Sequence, residues 1–341
     1  MKFERDEKKN LIEKNKSGLY PFIYMGKPSK IIFAGLDEAG KTSIIFTLQN
    51  NFSGLNCLRP TLGLQRCASE IKFLGMELIT WDLGGQLTYR IDYFKQKMRV
   101  FSSVSTMFYV VDLTTPHRFD ESIEYLDNIL KTFDELKVNP TILVLLNKFD
   151  PDKAEDLELT NNANVFKEKA ESIKREFNIY YYITSIHDPP TIIKAFSDGV
   201  IRKSPKAELI NNILKNFAKL TFSSAIVLLD ESTLIMGNHY SKREYLEMCE
   251  IVSPRFAKAM DSLARYDVTP ENVMVDITFP DGNSESGEQK AQIFMKKFSV
   301  DNETFYLIVL SRNPKTVKLC LESLEELSFQ LKELIKQFKE D

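Results

Sequence analysis

At 341 residues the chain has room for two domains with substantial cores, and 43% hydrophobic with 27% charged residues is an ordinary balance for a folded protein. A formal net charge of −3 gives no electrostatic reason to bind nucleic acid, and four scattered cysteines with no CxxC pair and no histidines at ligand spacing exclude a disulfide framework or zinc site. Those cysteines (Cys57, Cys67, Cys249, Cys320) read as free thiols in a reducing compartment, so a cytoplasmic location is expected.

No apolar run approaches the length of a membrane span, and no signal peptide, myristoylation or prenylation motif is encoded. Membrane attachment is therefore expected only indirectly, through a partner. Residues 1–28 form a charged extension; residues 1–16 carry six basic and four acidic side chains, with an apolar stripe too thin for a membrane-binding helix. Residues 19–24 are more apolar and are expected to pack on the domain that begins near Ser29.

Residues 30–33 read as a buried strand running into Gly35-Leu36-Asp37-Glu38-Ala39-Gly40-Lys41-Thr42-Ser43, which fits the phosphate-loop pattern. The glycines let the backbone curl so that the N–H groups of Asp37 through Ser43 point at phosphate oxygens. Lys41 sets an ammonium against the outer phosphates, and the Thr42 hydroxyl is left for Mg²⁺, a hard cation that prefers oxygen. The helix opening at Thr42 adds its own partial positive charge.

Arg59-Pro60-Thr61-Leu62-Gly63 follows the first helix, and Thr61 is the candidate to close over the terminal phosphate and complete Mg²⁺ coordination. Arg59 is either an arginine finger supplied by the same chain or a solvated arginine. Residues 71–74 and 78–82 are short apolar runs parted by Gly75, a hairpin pattern. The second runs into Trp81-Asp82-Leu83-Gly84-Gly85-Gln86. Here Asp82 can hold Mg²⁺ through water, the unshielded Gly85 N–H can approach the terminal phosphate, and Gln86 can orient the attacking water.

Residues 106–112 and 141–147 are continuous apolar runs, the signature of strands buried on both faces, and residues 180–183 supply a last strand. Between them Phe119, Ile123, Leu126, Leu130 and Phe133 recur at helical spacing. The polar stretch 151–164 reads as a loop or surface insertion. This alternation predicts an α/β domain over residues 29–203, a mostly parallel sheet flanked by helices.

The phosphate loop alone leaves kinases, ATPases and GTPases open. Asn147-Lys148-Phe149-Asp150 narrows the choice: the Asp150 carboxylate can accept from the ring N1–H and 2-amino group of guanine, donors that adenine lacks in that arrangement. Lys148 can lay its aliphatic stem over the base, and Thr184-Ser185-Ile186 can offer a backbone N–H to the guanine oxygen. The ligands implied are GTP/GDP and Mg²⁺. His117, His187 and His239 have no triad-like or metal-like context and read as structural.

Ser204-Pro205 opens a second domain, residues 204–341, with serine as N-cap and proline at the first helical position. Strands are expected at 225–229 and 234–236, then helix to residue 265, broken at Pro254 with Ser253 recapping a second piece. Residues 273–279 alternate as a strand, 280–288 form a polar loop, and strands follow at 291–298 and 304–310. A closing helix carries Cys320, Leu324, Leu327, Leu331, Leu334 and Phe338 on one stripe. The expectation is an α+β domain with helices on one face of a five-stranded sheet, whose edges require cover by a like domain.

The phosphate loop and Pro60-Thr61-Leu62-Gly63 resemble the Arf family. Trp81-Asp82-Leu83-Gly84-Gly85-Gln86, Tyr93-Phe94 and Thr184-Ser185-Ile186 resemble the Rag (Gtr-type) small GTPases, and that similarity continues through Asn216-Phe217-Ala218 and His239-Tyr240. The C-terminal element order is similar to a roadblock (longin-related) domain. Two positions depart from the pattern: Asn147 stands where many Rag proteins have histidine, and Pro254 falls inside the expected roadblock helix.

The resemblance implies a GTP/GDP switch that acts with GTPase-activating and nucleotide-exchange proteins. It also implies homo- or heterodimers through the C-terminal domain and scaffolds that tether the pair to a membrane. From the residues themselves we read Mg²⁺-dependent GTP binding with slow hydrolysis. The alternative is a scaffold that binds guanine nucleotide without hydrolysing it, for which Gln86 and Thr61 would have no chemical use.

Overall fold

The computed structural model describes residues 29–49, 60–73, 76–153, 155–173, 175–202, 204–263, 266–267, 270, 272–280, 288–312 and 314–340. The charged extension, Arg59, Cys57, Gly75 and residues 281–287 of the polar loop lie outside the described residues.

Six strands form the first sheet: β1 (Ser29–Ala34), β2 (Leu64–Phe73), β3 (Met76–Leu83), β4 (Val104–Asp112), β5 (Thr141–Asn147) and β6 (Ile179–Ile183), in the order β2-β3-β1-β4-β5-β6. All neighbours are parallel except β2 and β3, which pair antiparallel as the expected hairpin. Every residue of β5 is buried, which is why its sequence is an unbroken apolar run.

One face of this sheet carries α1 (Lys41–Leu48) and α6 (Pro189–Ile201). The other carries α2 (Leu87–Lys95), α3 (Lys97–Phe101), α4 (Phe119–Leu136) and α5 (Leu157–Glu171). On the first face Phe33, Phe108 and Phe196 stack, with ring centroids 4.9 and 5.4 Å apart, joining β1 through β4 to α6. Gly199 permits that approach, since a Cβ there would lie 2.8 Å from Phe108 Cζ and 2.9 Å from Leu143 Cδ1.

The expected loop at 151–164 is in part α5. The Asp156 carboxylate caps it, accepting from the Glu158 and Leu159 N–H groups, and Leu159, Ala163, Phe166 and Ala170 form its buried stripe. Its exposed face is polar enough to hide that spacing in the first half of the helix.

The remaining chain builds a five-stranded sheet from β7 (Ala225–Asp230), β8 (Ile235–Tyr240), β9 (Asn272–Pro280), β10 (Glu288–Val300) and β11 (Glu303–Ser311), in the order β8-β7-β11-β10-β9 and antiparallel throughout. Helix α7 (Pro205–Thr221) starts as expected, Ser204 accepting from the Ala207 N–H, and lies with α9 (Pro314–Glu340) on one face. All six residues of the predicted α9 stripe are buried.

Two expectations fail here. Helix α8 (Arg243–Leu263) runs unbroken through Pro254. Proline forfeits the bond to the Glu250 carbonyl, but burial of Leu246, Cys249, Ala257 and Met260 on both sides of it holds the packed helix together. Helices also cover both faces rather than one: α8 packs on the face opposite α7 and α9, over Val227, Ile293 and Ile308.

Candidate nucleotide site

The parallel strands all end at the same edge of the first sheet, and the motif residues sit there, outside the carboxyl ends of β1, β3, β4, β5 and β6. The loop after β1 makes a tight curl. Gly35 has φ +137° and a Cβ there would lie 2.2 Å from the Val110 carbonyl oxygen, so no side chain fits. Glu38 is left-handed at φ 61° and Gly40 at φ 96°, the nest conformation that points successive N–H groups inward.

Lys41 is 5% exposed, and its ammonium donates to the carbonyls of Gly35 at 3.1 Å and Leu36 at 2.6 Å. Burial lowers its pKa to about 8, against the pull of Asp82 and Asp37. A cationic side chain held in this way is stabilised by added negative charge, which a phosphate would supply.

Three hard oxygens converge beside it. The Thr42 hydroxyl donates to Asp82 Oδ2 at 2.6 Å, Thr61 Oγ1 lies 2.9 Å from Thr42 Oγ1, and the Thr61 hydroxyl reaches the same Asp82 oxygen at 3.1 Å. Asp82 is 1% exposed and its other oxygen, Oδ1, is buried with no hydrogen-bond partner. A buried, half-satisfied carboxylate among hydroxyls is costly by itself and fits an oxygen-preferring cation, so the donor set suits Mg²⁺. A cavity of about 270 Å³ opens here, lined by Asp37, Glu38, Lys41, Thr42, Ser43, Thr61, Gly85 and Gln86 among others.

Gly85 lies against the phosphate loop; a Cβ there would come within 2.1 Å of the Asp37 nitrogen. Gly84 donates to the Gly63 carbonyl at 3.0 Å, tying the Thr61 segment to the Gln86 segment. Gln86, half-buried, stands at the start of α2 beside the cavity.

On the other side of Gly40, Asn147 links three segments. Its amide donates to the Ala39 carbonyl at 2.9 Å and accepts from the Thr184 hydroxyl at 3.2 Å. Lys148 adopts φ 67°, and its ammonium pairs with Asp112 at 2.7 Å. Asp150 accepts from the Ser185 hydroxyl at 2.6 Å, which orients its carboxylate. The Ser185 N–H is already given to Thr191 Oγ1 at 3.2 Å, leaving Ile186, next in the chain, as the better placed of the two to offer a backbone donor.

The structure thus gathers Asp37, Glu38, Gly40 through Ser43, Thr61, Gly85 and Gln86 around one cavity, with Asp82 behind Thr42 and Thr61 and Ala39 turned into the core. Asn147, Lys148, Asp150, Ser185 and Ile186 sit on the adjoining strand ends. Asp112 and Thr184 were missed as supports. Asp112 stands opposite Asn147 in the β4–β5 register, so strand pairing could have found it. Arg118 was also missed, and its guanidinium binds Asp37 at 2.7 Å. Among the described residues there is no cluster of three or more His, Cys, Asp or Glu side chains that could hold a metal ion.

Comparison with known proteins identifies the family. The model of the Gtr1/RagA G protein conserved region matches residues 30–260. Ras-related GTP-binding protein B of Rattus norvegicus is 28% identical over 181 residues, covering 52% of this chain and 46% of that protein. The chain thus matches about half the length of that relative. Ras-related GTP-binding protein A of Dictyostelium discoideum is 24% identical over 226 residues, 64% of this chain and 72% of the relative. ADP-ribosylation factor K of the same organism is 32% identical over 150 residues, 44% of this chain and 74% of the relative, which parallels the Arf-like phosphate loop. The match spans both the nucleotide site and the first part of the second sheet, and the chain belongs to the Gtr1/RagA family of small GTPases.

Proposed function

We propose that this chain is a Mg²⁺-dependent GTP/GDP switch that hydrolyses GTP slowly. One observation carries the reading: Thr42, Thr61 and a half-satisfied Asp82 converge beside Lys41, with Gln86 lining the same cavity. Thr42 and Thr61 would hold the ion directly and Asp82 through water. The bound ion would neutralise charge on the phosphates. Lys41 and the loop N–H groups would position the terminal phosphate, and Gln86 would orient the attacking water. No arginine from the described residues lines this cavity, so rapid hydrolysis would depend on a GTPase-activating protein. Asp150, fixed by Ser185, would select guanine.

Residues 204–341 would act as a roadblock-like dimerisation domain. Its β8 edge is covered within the chain: the Ser197 hydroxyl accepts from the Ile235 N–H at 2.9 Å, and Asn211 Oδ1 from the Asn238 N–H at 2.8 Å. The nine-residue β9 pairs only with β10 among the described residues, and its other edge suits strand addition by a like domain. Such an interface would bury about 1,200–2,000 Å² or more. The protein would work in the cytoplasm and reach a membrane through partners bound to the pair.

Single-turnover hydrolysis of GTP, with and without Mg²⁺, tests the switch. A chain that binds GTP tightly yet leaves it intact in both conditions is the guanine-binding scaffold instead. Sedimentation of the full chain at micromolar concentration, alone and mixed with a related chain from the same cell, tests the dimer; a strict monomer in both would end that part.

A further inference from the structure

A chain of four charged side chains connects the phosphate loop to the helix that begins after Gln86. Asp37, on the loop itself, accepts from Arg118 Nη2 at 2.7 Å, and the Asp37 carbonyl lies 3.4 Å from Arg118 Nη1. Arg118 ends the turn Pro116–Arg118 between β4 and α4. Its Nε and Nη2 also reach Glu121 Oε2, both at 3.3 Å. The other oxygen of Glu121 accepts from Arg90. Arg90 is buried, stacks over the Tyr125 ring at 5.0 Å and belongs to α2, where its own N–H donates to the Gln86 carbonyl at 3.0 Å.

The chemistry at the loop end needs such an arrangement. A carboxylate lining the phosphate cavity repels the several negative charges of a nucleoside phosphate. Burial pushes the Asp37 carboxyl up, but the hydrogen bond and charge of Arg118 outweigh it, so the group is held below the usual carboxylate range and stays ionised. The repulsion is therefore cancelled by the guanidinium and not by protonation. At the other end, Glu121 is a common anchor: it orients Arg118 towards Asp37 and holds Arg90, one helical turn after Gln86.

We propose that Arg118 is a positioning residue of the nucleotide site. It neutralises the charge that Asp37 brings to the phosphate loop and, through the Glu121 carboxylate shared with Arg90, holds the Gln86 helix against that loop. The proposal rests on the reading of this cavity as the phosphate site.

The test uses the full chain in excess Mg²⁺, following release of a fluorescent GDP analogue and single-turnover hydrolysis of GTP. Arg118→Ala should speed GDP release by about tenfold, the scale of one charge-assisted hydrogen bond. Adding Asp37→Asn to that variant should recover most of the loss, because the uncancelled charge is gone. Arg118→Lys should recover part, restoring charge without the fork. Glu121→Gln should lower hydrolysis and speed GDP release less than Arg118→Ala does, since it weakens the hold on both guanidinium groups while Asp37 still accepts from Arg118. No change in either rate overturns the Glu121 link. Release at the parent rate in Arg118→Ala overturns the proposal. So does a double variant that releases GDP as fast as Arg118→Ala, which would mean that Arg118 acts only as packing. A parent chain that fails to bind GDP refutes the reading of the cavity, and the proposal with it.

Discussion

Replacing Lys194 with methionine tests how the two sheets are joined. Lys194 lies on α6 and Glu250 on α8, with Nζ and Oε2 2.6 Å apart; the side chains are 23% and 5% exposed. At that distance Lys194 is the group that compensates Glu250 Oε2, while the other carboxylate oxygen, Oε1, is buried without a hydrogen-bond partner. Burial raises the Glu250 carboxyl above its ordinary value, Lys194 and Arg243 pull it back, and Asp198 adds to the rise. Methionine keeps much of the apolar stem and removes the charge. Breaking one side of a buried pair costs about 3–5 kcal/mol, and with Lys194 partly solvated the lower end, about 3 kcal/mol, is expected near pH 8. A carboxyl whose folded pKa is raised contributes its full stability below the unfolded value and loses it as pH rises through the folded value. Losing Lys194 raises the folded value further, so the deficit of Lys194→Met should be small near pH 5 and grow towards pH 8. Urea unfolding in excess GDP, followed by the single tryptophan, Trp81, and by circular dichroism, measures it. Adding Glu250→Gln should return most of the loss. A deficit below about 1 kcal/mol at pH 8, or one equal at both pH values, would show that the pair contributes no more than a surface ion pair.

Asp150→Asn should move preference from guanine towards xanthine nucleotides, whose carbonyl accepts from the new amide; ATP displacing bound GDP from the parent at similar concentration would discard the base-reading assignment. Gln86→Leu should leave GTP affinity nearly intact and lower the single-turnover rate by about tenfold or more, and an unchanged rate removes Gln86 from its role. Gly85→Ala places a Cβ within 2.1 Å of the Asp37 nitrogen and 2.2 Å of the Leu36 carbonyl carbon, so the two segments must part. A lowered ratio of GTP to GDP affinity is expected, and equal ratios in variant and parent would count against close packing of Gly85 on the loop.

Much of the first sheet was legible because its strands are buried on both faces, and an unbroken apolar run such as β5 has few other readings. The motif residues were legible because phosphate, metal and base each dictate a residue type at a fixed offset in one short segment. What escaped depends on distant parts of the chain. Arg118 reaches Asp37 across 81 residues and Lys148 pairs with Asp112 across 36, and neither spacing is periodic. Pro254 misled for a related reason: a local rule breaks the helix, but burial of Leu246, Cys249, Ala257 and Met260 along one stripe outweighs the single lost bond. Helix α5 was hidden by its polar side until the cap at Asp156 and the stripe beneath it were seen together.

The placement of the second sheet bears on how a switch of this architecture could signal. Helix α1, directly after the phosphate loop, shares one hydrophobic cluster with α6, α7, one face of the second sheet and α9, to which Ile44, Ile45, Phe196, Ile210, Met236 and Leu331 all belong. Helix α2, which Gln86 opens, belongs to the cluster on the opposite face, with Tyr93 buried in it and the Phe94 ring against Phe101 and Tyr125. A close-packed interior resists shifting one member alone, so α1, α6 and the second sheet should move as one body. Residues 60–63 and 84–95, which would follow the terminal phosphate, sit outside that body. Leu62 and Leu87 there are 70% and 62% exposed, and Ile91 is exposed with them, without the packing that would hold them in one position. On the proposed function, the response to the terminal phosphate and the link to the second sheet would therefore fall on opposite faces of the first sheet. A change at Thr61 and Gln86 can alter the surface around α2 while the β9 edge keeps its orientation to the phosphate loop.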